Sequence, residues 1–320
     1  MCTAVTYRGK HIYFGRNLDL EYRYREQITL TPRHFPLLYR QGTRQQEHAA
    51  ILGTATVAEG YPLYYDAMNE HGLAMAGLNF PGNARYFAAQ QGKDNIAPFE
   101  LIPWLLSQCK TVGDAQALLT STNIWDHPFS EQYPLSPLHW MIADKERSIT
   151  VESMEDGLHV HQNPVGVLTN NPPFPMQMTY LNNFMHLSPA APVNSFAPLL
   201  PLAPYSRGMG AMGLPGDLSS PSRFVRAAFV LSNSPIDGDV SQFFHILSSV
   251  SQPRGCNRVR EHEYEITLYS SCCDLDAGVY YLHTYGNHRL CAVDMHKADP
   301  DGNTLSCFDF PEEEDVRLLN

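Results

Sequence analysis

Short runs of apolar and β-favouring residues, broken by polar turns, dominate the first hundred positions of the chain. They predict strands over residues 3–7, 11–14, 49–57, 63–68 and 73–78. Arg8-Gly9-Lys10 marks the first turn, and Asn69-Glu70-His71-Gly72 a hairpin turn in which glycine supplies a positive φ. A helical block follows. Pro98 suits the first turn of a helix through Phe99, Leu101, Ile102, Trp104 and Leu105, and Thr111-x-x-Asp114 resembles a capping arrangement for a second helix reaching Leu119. Strands resume at residues 138–143, 149–154 and 158–162, helices at 176–185, 222–232 and 240–250, and strands close the pattern at 264–271, 278–284 and 289–293. Residues 188–216 are rich in Pro, Ala and Gly, but Leu199, Leu200, Leu202 and Tyr205 are too apolar for a solvated linker and predict a packed excursion or loop. The acidic run Pro311-Glu312-Glu313-Glu314-Asp315 reads as a solvated tail.

Blocks of strands, helices, strands, helices and strands point to an α+β protein with two mainly antiparallel sheets and helices outside them. Alternating β-α order is absent, which disfavours a doubly wound parallel sheet. With no repeat, low-complexity tract or convincing linker, residues 1–320 read as a single domain.

Composition narrows the function classes. A net charge of −11 argues against a nucleic-acid surface, which needs clustered Lys and Arg. No stretch approaches the ~20 apolar residues that cross a bilayer. The start of the chain lacks a basic region followed by an apolar run, so a cytoplasmic protein is expected. Seven cysteines, widely spaced and without C-x-x-C, speak against a disulfide framework or a zinc site. His159 and His161 share one strand face, but no third ligand is in view, so no metal is expected.

The chemistry concentrates at the start. Met1-Cys2-Thr3 places a small residue after the initiator, the situation in which methionine is usually removed. Cys2 then carries a thiol and a free α-amine, whose ordinary pKa of about 7.7–8.0 suits a base near neutrality. A thiol beside its own base is an activated nucleophile that needs no histidine. The cluster Gly15-Arg16-Asn17-Leu18-Asp19 ends the predicted second strand, and a hairpin brings it back beside Cys2. Taken singly these residues have plainer readings: a buried cysteine, a surface ion pair between Arg16 and Asp19, turn asparagines at Asn79 and Asn170, and a helix-surface arginine at Arg223.

Taken together, eight segments in order resemble the choloylglycine hydrolase family. They are Met1-Cys2-Thr3, Phe14-Gly15-Arg16-Asn17-Leu18-Asp19, Met68-Asn69-Glu70-His71-Gly72-Leu73, Ala76-Gly77-Leu78-Asn79-Phe80-Pro81, Leu138-His139-Trp140-Met141-Ile142, Val167-Leu168-Thr169-Asn170-Asn171-Pro172, Leu214-Pro215-Gly216-Asp217 and Ser222-Arg223-Phe224. These N-terminal nucleophile (Ntn) amidases include conjugated bile salt hydrolases and penicillin V acylases, and the resemblance runs from residue 1 to about residue 310. It implies a four-layer αββα sandwich, the Ntn-hydrolase fold. It also implies Cys2 as nucleophile with its α-amine as proton acceptor, and Arg16 beside the thiol, favouring thiolate. By the same resemblance Asp19 bonds the terminal amine, Asn79 donates to the oxyanion, and Asn170 is an oxyanion-hole or positioning residue. Arg223 completes the charge network around Asp19 and Cys2. No metal or organic cofactor is implied.

The resemblance favours glycine- or taurine-conjugated bile salts as substrate, with penicillin V as the alternative. Leu18, Tyr24, Tyr65, Phe129 and Tyr133 fall at or near positions that line the family's pocket, although core packing is an equal reading for the aromatics. Arg207, in Tyr205-Ser206-Arg207-Gly208-Met209-Gly210, is placed near the amino-acid end, where a guanidinium suits a carboxylate or a sulfonate. A steroid- or lipid-binding protein without turnover remains a second class of reading, opposed by the filled catalytic positions. The family often forms homotetramers, and the excursion near residues 188–204 offers a candidate interface.

Overall fold

Residues 2–20 form one long hairpin: β1 (Cys2–Arg8) and β2 (Ile12–Leu20) pair antiparallel from Arg8↔Ile12 to Cys2↔Leu18. The computed structural model describes residues 1–320. Two large sheets are built around this hairpin, from β3 (Gln27–Thr31), β4 (Ile51–Ala58), β5 (Tyr61–Asn69), β6 (Ala74–Asn79), β7 (Leu138–Ala143), β8 (Ser148–Met154), β9 (Gly157–Gln162), β10 (Val167–Leu168), β11 (Ile266–Asp274), β12 (Val279–Thr284), β13 (Cys291–Asp294) and β14 (Ser306–Phe308). The first, six-stranded, runs β10-β1-β2-β11-β12-β13; the second, eight-stranded, runs β9-β8-β7-β6-β5-β4-β3-β14. Every pairing in both sheets is antiparallel.

The sheets meet face to face. Ala4, Phe14 and Tyr269 of the first share one apolar core with Leu30, Met68, Ala76 and Leu78 of the second. Helices α1 (Leu101–Gln108) and α2 (Val112–Leu119) cover the outer face of the eight-stranded sheet over a second core containing Trp104, Leu105 and Trp140. A third helix, α3 (Phe174–Tyr180), leads to α4 (Ser220–Ser232) and α5 (Val240–Ser248), which cover the six-stranded sheet through Phe224, Phe243 and Leu247. The layers therefore run helix, sheet, sheet, helix, an αββα sandwich.

Local signals explain the elements that frame the site. In the turn after β5, Asn69 Oδ1 accepts from the N–H groups of His71 and Leu73 at 3.0 and 3.1 Å, and Gly72 adopts φ +81°, so side chain and backbone close the hairpin together. Thr111 and Asp114 form the reciprocal cap of α2: Asp114 N–H donates to Thr111 Oγ1 at 3.1 Å and Thr111 N–H to Asp114 Oδ2 at 2.9 Å.

The largest departure from the pattern reading lies in β2. Arg16, Asn17 and Asp19 do not follow the strand but sit inside it, wholly buried between β1 and β11. Polar residues persist there because each has buried partners: Asn17 donates to the Leu247 carbonyl at 2.9 Å and accepts from Ser270 Oγ at 2.7 Å, and those of Arg16 and Asp19 belong to the site described below. Gly15 is needed at the same crossing, since a Cβ would stand 2.0 Å from the Ser271 carbonyl oxygen. Strands β3 and β14 were not anticipated; Gln27-Ile28-Thr29-Leu30-Thr31 is short and half polar, and the three residues of β14 are held by pairing to β3. The acidic tail is exposed, and Glu312, Glu314 and Asp315 form surface pairs with Arg23, His288 and Arg289.

Candidate active site

Cys2 opens β1, an interior strand: Leu18 of β2 faces it on one side, and on the other β10 pairs from Ala4 onward. Its main-chain N–H donates to Asn170 Oδ1 at 2.8 Å. Met1 precedes it, with its carbonyl accepting the Asp19 N–H at 2.9 Å and its ammonium donating to the Asp19 carbonyl at 2.7 Å and pairing with Glu265. Burial holds that terminal ammonium below its ordinary pKa, although Cys2 and Asp19 pull the other way.

Two buried arginines flank this start from opposite sides. Arg223, from the first turns of α4, donates to the Cys2 carbonyl at 2.5 Å, to Thr3 Oγ1 at 2.6 Å and to Asn170 Oδ1 at 2.7 Å. Its Nη1 lies 3.8 Å from Asp19 Oδ2. Burial lowers its pKa, and Asp19 and Cys2 offset only part of that. Arg16 donates through Nη1 to the carbonyls of Tyr65, at 3.2 Å, and Gly77, while its Nη2 has no protein partner. Burial disfavours its charge, yet Cys2, Tyr269 and Asp66 more than compensate and raise its pKa. A buried guanidinium with one free N–H edge in the cavity that holds Cys2 can stabilise a thiolate.

Asp19 is committed to other partners while Met1 is present. In the chain that carries Met1, its carboxylate accepts from Thr267 Oγ1 at 2.6 Å and Gln252 Nε2 at 2.9 Å, and only its carbonyl touches the terminal amine. Asn170 is the residue that meets the Cys2 nitrogen. Its Nδ2 is engaged too, donating to the Asn79 carbonyl at 2.7 Å. Asn79 itself ends β6 in the cavity wall, with a side-chain amide that no protein group holds. Of the two asparagines, Asn79 is therefore the one with donors to offer a ligand.

The cavity, about 590 Å³, opens above Cys2, Arg16 and Asn79. Leu18, Tyr24, Tyr65, Phe129 and Tyr133 all line it, joined by Leu20, Phe99, Ile102 and Leu135, which sequence reasoning did not single out. Arg207 does not join them; it lies exposed on the 188–216 excursion, outside the lining. A larger groove, about 860 Å³, runs between α2 and the β8–β9 hairpin, and no cysteine or histidine lines it.

A second set of residues escaped the sequence reading. Asp66 of β5 accepts from Tyr269 at 2.7 Å, Ser271 at 2.8 Å and Tyr280 at 2.6 Å, bolting one sheet to the other beneath Arg16. Burial pushes the Asp66 carboxyl above its ordinary value, and Arg16 with the three hydroxyls offsets only part of that. The signal available was a lone acid in the apolar run Tyr64-Tyr65-Asp66-Ala67-Met68.

Comparison with known proteins fits this geometry. The model of the linear amide C–N hydrolases, choloylglycine hydrolase family, matches residues 2–308. Over the full length of both chains, the sequence is 51% identical to the bile salt hydrolase/transferase of Lactiplantibacillus plantarum and 36% identical to that of Clostridium perfringens. The crystal structure of the mutant C2A conjugated bile acid hydrolase from Clostridium perfringens superposes with a TM-score of 0.94 at 35% identity, covering all of both chains. The penicillin V acylase of Agrobacterium tumefaciens shares the fold, with a TM-score of 0.75 at 18% identity over 99% of this chain and all of the other. An N-terminal cysteine set between two buried arginines at the floor of an apolar cavity is thus met in a chain that belongs to the choloylglycine hydrolase family of linear amide C–N hydrolases.

Proposed function

We propose that this amidase hydrolyses conjugated bile salts, cleaving the amide between a bile acid and glycine or taurine. The observation that carries the reading is the cavity: one end is Cys2, Arg16 and Asn79, and the rest is a wide apolar and aromatic wall suited to a rigid steroid. The names of the full-length relatives point the same way. Penicillin V, whose acylase shares only the fold at 18% identity, is the weaker choice.

In the proposed mechanism Met1 is removed and the Cys2 nitrogen, already held by Asn170 Oδ1, becomes the α-amine. The amine takes the thiol proton, and Arg16 favours the thiolate. Sulfur attacks the amide carbonyl, and the oxygen that gains charge accepts from the free Asn79 amide. The α-ammonium then protonates the leaving nitrogen, the C–N bond breaks and a thioester remains. Water gives a proton to the amine, attacks the thioester, and releases the bile acid and the thiol. Asn170 and Arg223 act by holding the amine, and Asp19 by fixing the strand edge and the charge of Arg223. Arg207 is proposed to approach the substrate's anionic end by movement of its loop, in which Gly208 and Gly210 follow it.

The wider setting belongs to the same proposal: one domain, working in the cytoplasm as part of lipid metabolism and assembled as a homotetramer. The seven unpaired cysteines support a reducing compartment. The bare side chains of Phe196 and Leu199 on the excursion, 92% and 100% exposed, support association between copies. No helix is long and apolar enough to cross a membrane. The test is kcat/KM on glycocholate, taurocholate and penicillin V side by side, in protein shown by mass to begin at Cys2. Preference for the conjugates by about tenfold or more supports the reading; preference for penicillin V, or silence on all three, overturns it.

A further inference from the structure

The segment Leu138-His139-Trp140-Met141-Ile142 has so far no part in the chemistry, yet its histidine lies wholly buried between the two asparagines of the site. His139 sits on β7, which pairs with β6 so that Leu138 faces Asn79 and His139 faces Leu78. Its ring lies flat on Phe80, the residue after Asn79, with centroids 4.2 Å apart and planes 6° from parallel. Its Nε2 is 2.8 Å from the carbonyl oxygen of Thr169, the residue before Asn170. One side chain therefore touches the neighbour of each asparagine.

The direction of the bond is fixed by chemistry. A carbonyl oxygen only accepts, so Nε2 carries a proton. On the other side, Nδ1 is 3.0 Å from Glu152 Oε1, which also accepts the Phe174 N–H at 2.9 Å. Glu152 is buried as well, and it fixes the plane of the ring as a carboxylate partner fixes a metal-bound or triad histidine. Around Thr169 the remaining bonds are equally committed. Its hydroxyl bonds Gln177 at 3.0 Å and the Ser220 carbonyl at 3.1 Å, and Ser220 Oγ receives the Asn170 N–H at 2.8 Å. The circuit closes where Asn170 Nδ2 meets the Asn79 carbonyl at 2.7 Å.

We infer that His139, oriented by Glu152, is a positioning residue for the reaction: its Nε2–H on the Thr169 carbonyl and its ring on Phe80 set where Asn170 holds the amine relative to where Asn79 meets the oxyanion. The inference rests on the amidase reading above. A displacement of one partner by a fraction of an ångström costs turnover more than binding, because the two asparagines act together only in the transition state.

Two variants separate the two ring nitrogens. His139→Gln places an amide N–H where Nε2 stood and keeps the bond to Thr169; His139→Asn reaches the Nδ1 position, keeps Glu152 and loses Thr169. In steady-state hydrolysis of glycocholate, His139→Asn is expected to lower kcat about 10²-fold with KM within about threefold, and His139→Gln to recover most of that loss. Equal loss in both variants, no loss in either, or a change confined to KM overturns the inference. Wild-type protein beginning at Cys2 that cleaves no amide defeats the amidase reading and this one with it, whereas active wild type with an unaffected Asn variant defeats this one alone. Should the variants fail to fold, 15N NMR of the wild type decides: the His139 ring, identified by cross-peaks to Phe80, is expected to carry a proton on Nε2, and a bare Nε2 overturns the inference.

Discussion

The side-chain oxygen of Asn170 accepts two hydrogen bonds at once, from the Cys2 N–H at 2.8 Å and from Arg223 Nη2 at 2.7 Å. A buried guanidinium thus pins the acceptor that holds the nitrogen next to the thiol. The arrangement explains why an amide and not a carboxylate occupies position 170. An acid there would bind the adjacent ammonium too tightly for it to release a proton to the leaving group. Asn170→Ala is expected to lower kcat by about 10²–10³. It also leaves the buried Arg223 one partner short, at about 1–3 kcal/mol of stability. Amide hydrolysis and denaturant titration of the same protein read both effects.

Cys2→Ala is expected to abolish hydrolysis and leave the melting temperature near that of the parent, because Cys2 contributes to the fold mainly through its backbone in β1. Protein forced to retain Met1 is expected to be equally silent, since its Cys2 nitrogen is an amide and cannot act as a base. Intact mass and a thiol titration accompany the assay. Full activity in either protein sinks the mechanism.

Glu70 yields a pH-dependent prediction. Burial works against its charge, but the guanidinium of Arg33, at 3.0 and 3.1 Å, and the Ala50 N–H outweigh it and hold the carboxyl below its ordinary value. A carboxyl that is more acidic folded than unfolded adds stability above the unfolded pKa of about 4.3 and loses it as pH falls through the folded one. Glu70→Gln is expected to flatten the acid limb of a plot of Tm against pH and to lower Tm near neutrality. An unchanged acid limb refutes the assignment.

The cavity wall has its own support. Arg40 lies over the rings of Phe99 and Phe129, 5.7 and 5.0 Å from their centroids, and donates to the Phe129 carbonyl at 2.9 Å. Its own N–H is held by the buried Glu100 at 2.6 Å. Arg40→Met is expected to loosen the Phe129 loop and raise KM for a bulky acyl group about three- to tenfold, with kcat nearly constant. A fall in kcat at constant KM contradicts this.

The layered architecture was legible because strand runs and helical blocks come in separate groups, and the turn at Asn69–Gly72 and the cap at Thr111–Asp114 announce themselves locally. The catalytic candidates were legible only as a set: Cys2, Arg16, Asp19, Asn79, Asn170 and Arg223 are each unremarkable alone, and the fold supplies their meeting. What sequence patterning hid was the supporting layer. Asp66, His139, Glu152, Thr267 and Gln252 lie in apolar or mixed runs, and their partners sit on other strands or loops far along the chain. Nothing in local propensity says which buried polar residue a distant hydroxyl will satisfy. That Arg207 stands outside the cavity lining was hidden for a related reason, since a loop rich in glycine and proline leaves the course of its backbone undetermined by its sequence.

Because Cys2 is the first residue of an interior strand, the chain's own beginning is part of its machinery. Any handle left ahead of Cys2, whether a purification tag, a display anchor or a reporter, is expected to occupy the place of the amine and to silence the protein unless a protease trims it flush. At the far end the chain runs out along the surface past the edge strand Ser306–Phe308, and Leu319 is 89% exposed. On the proposed mechanism, immobilisation, labelling and fusion belong at sites remote from Cys2.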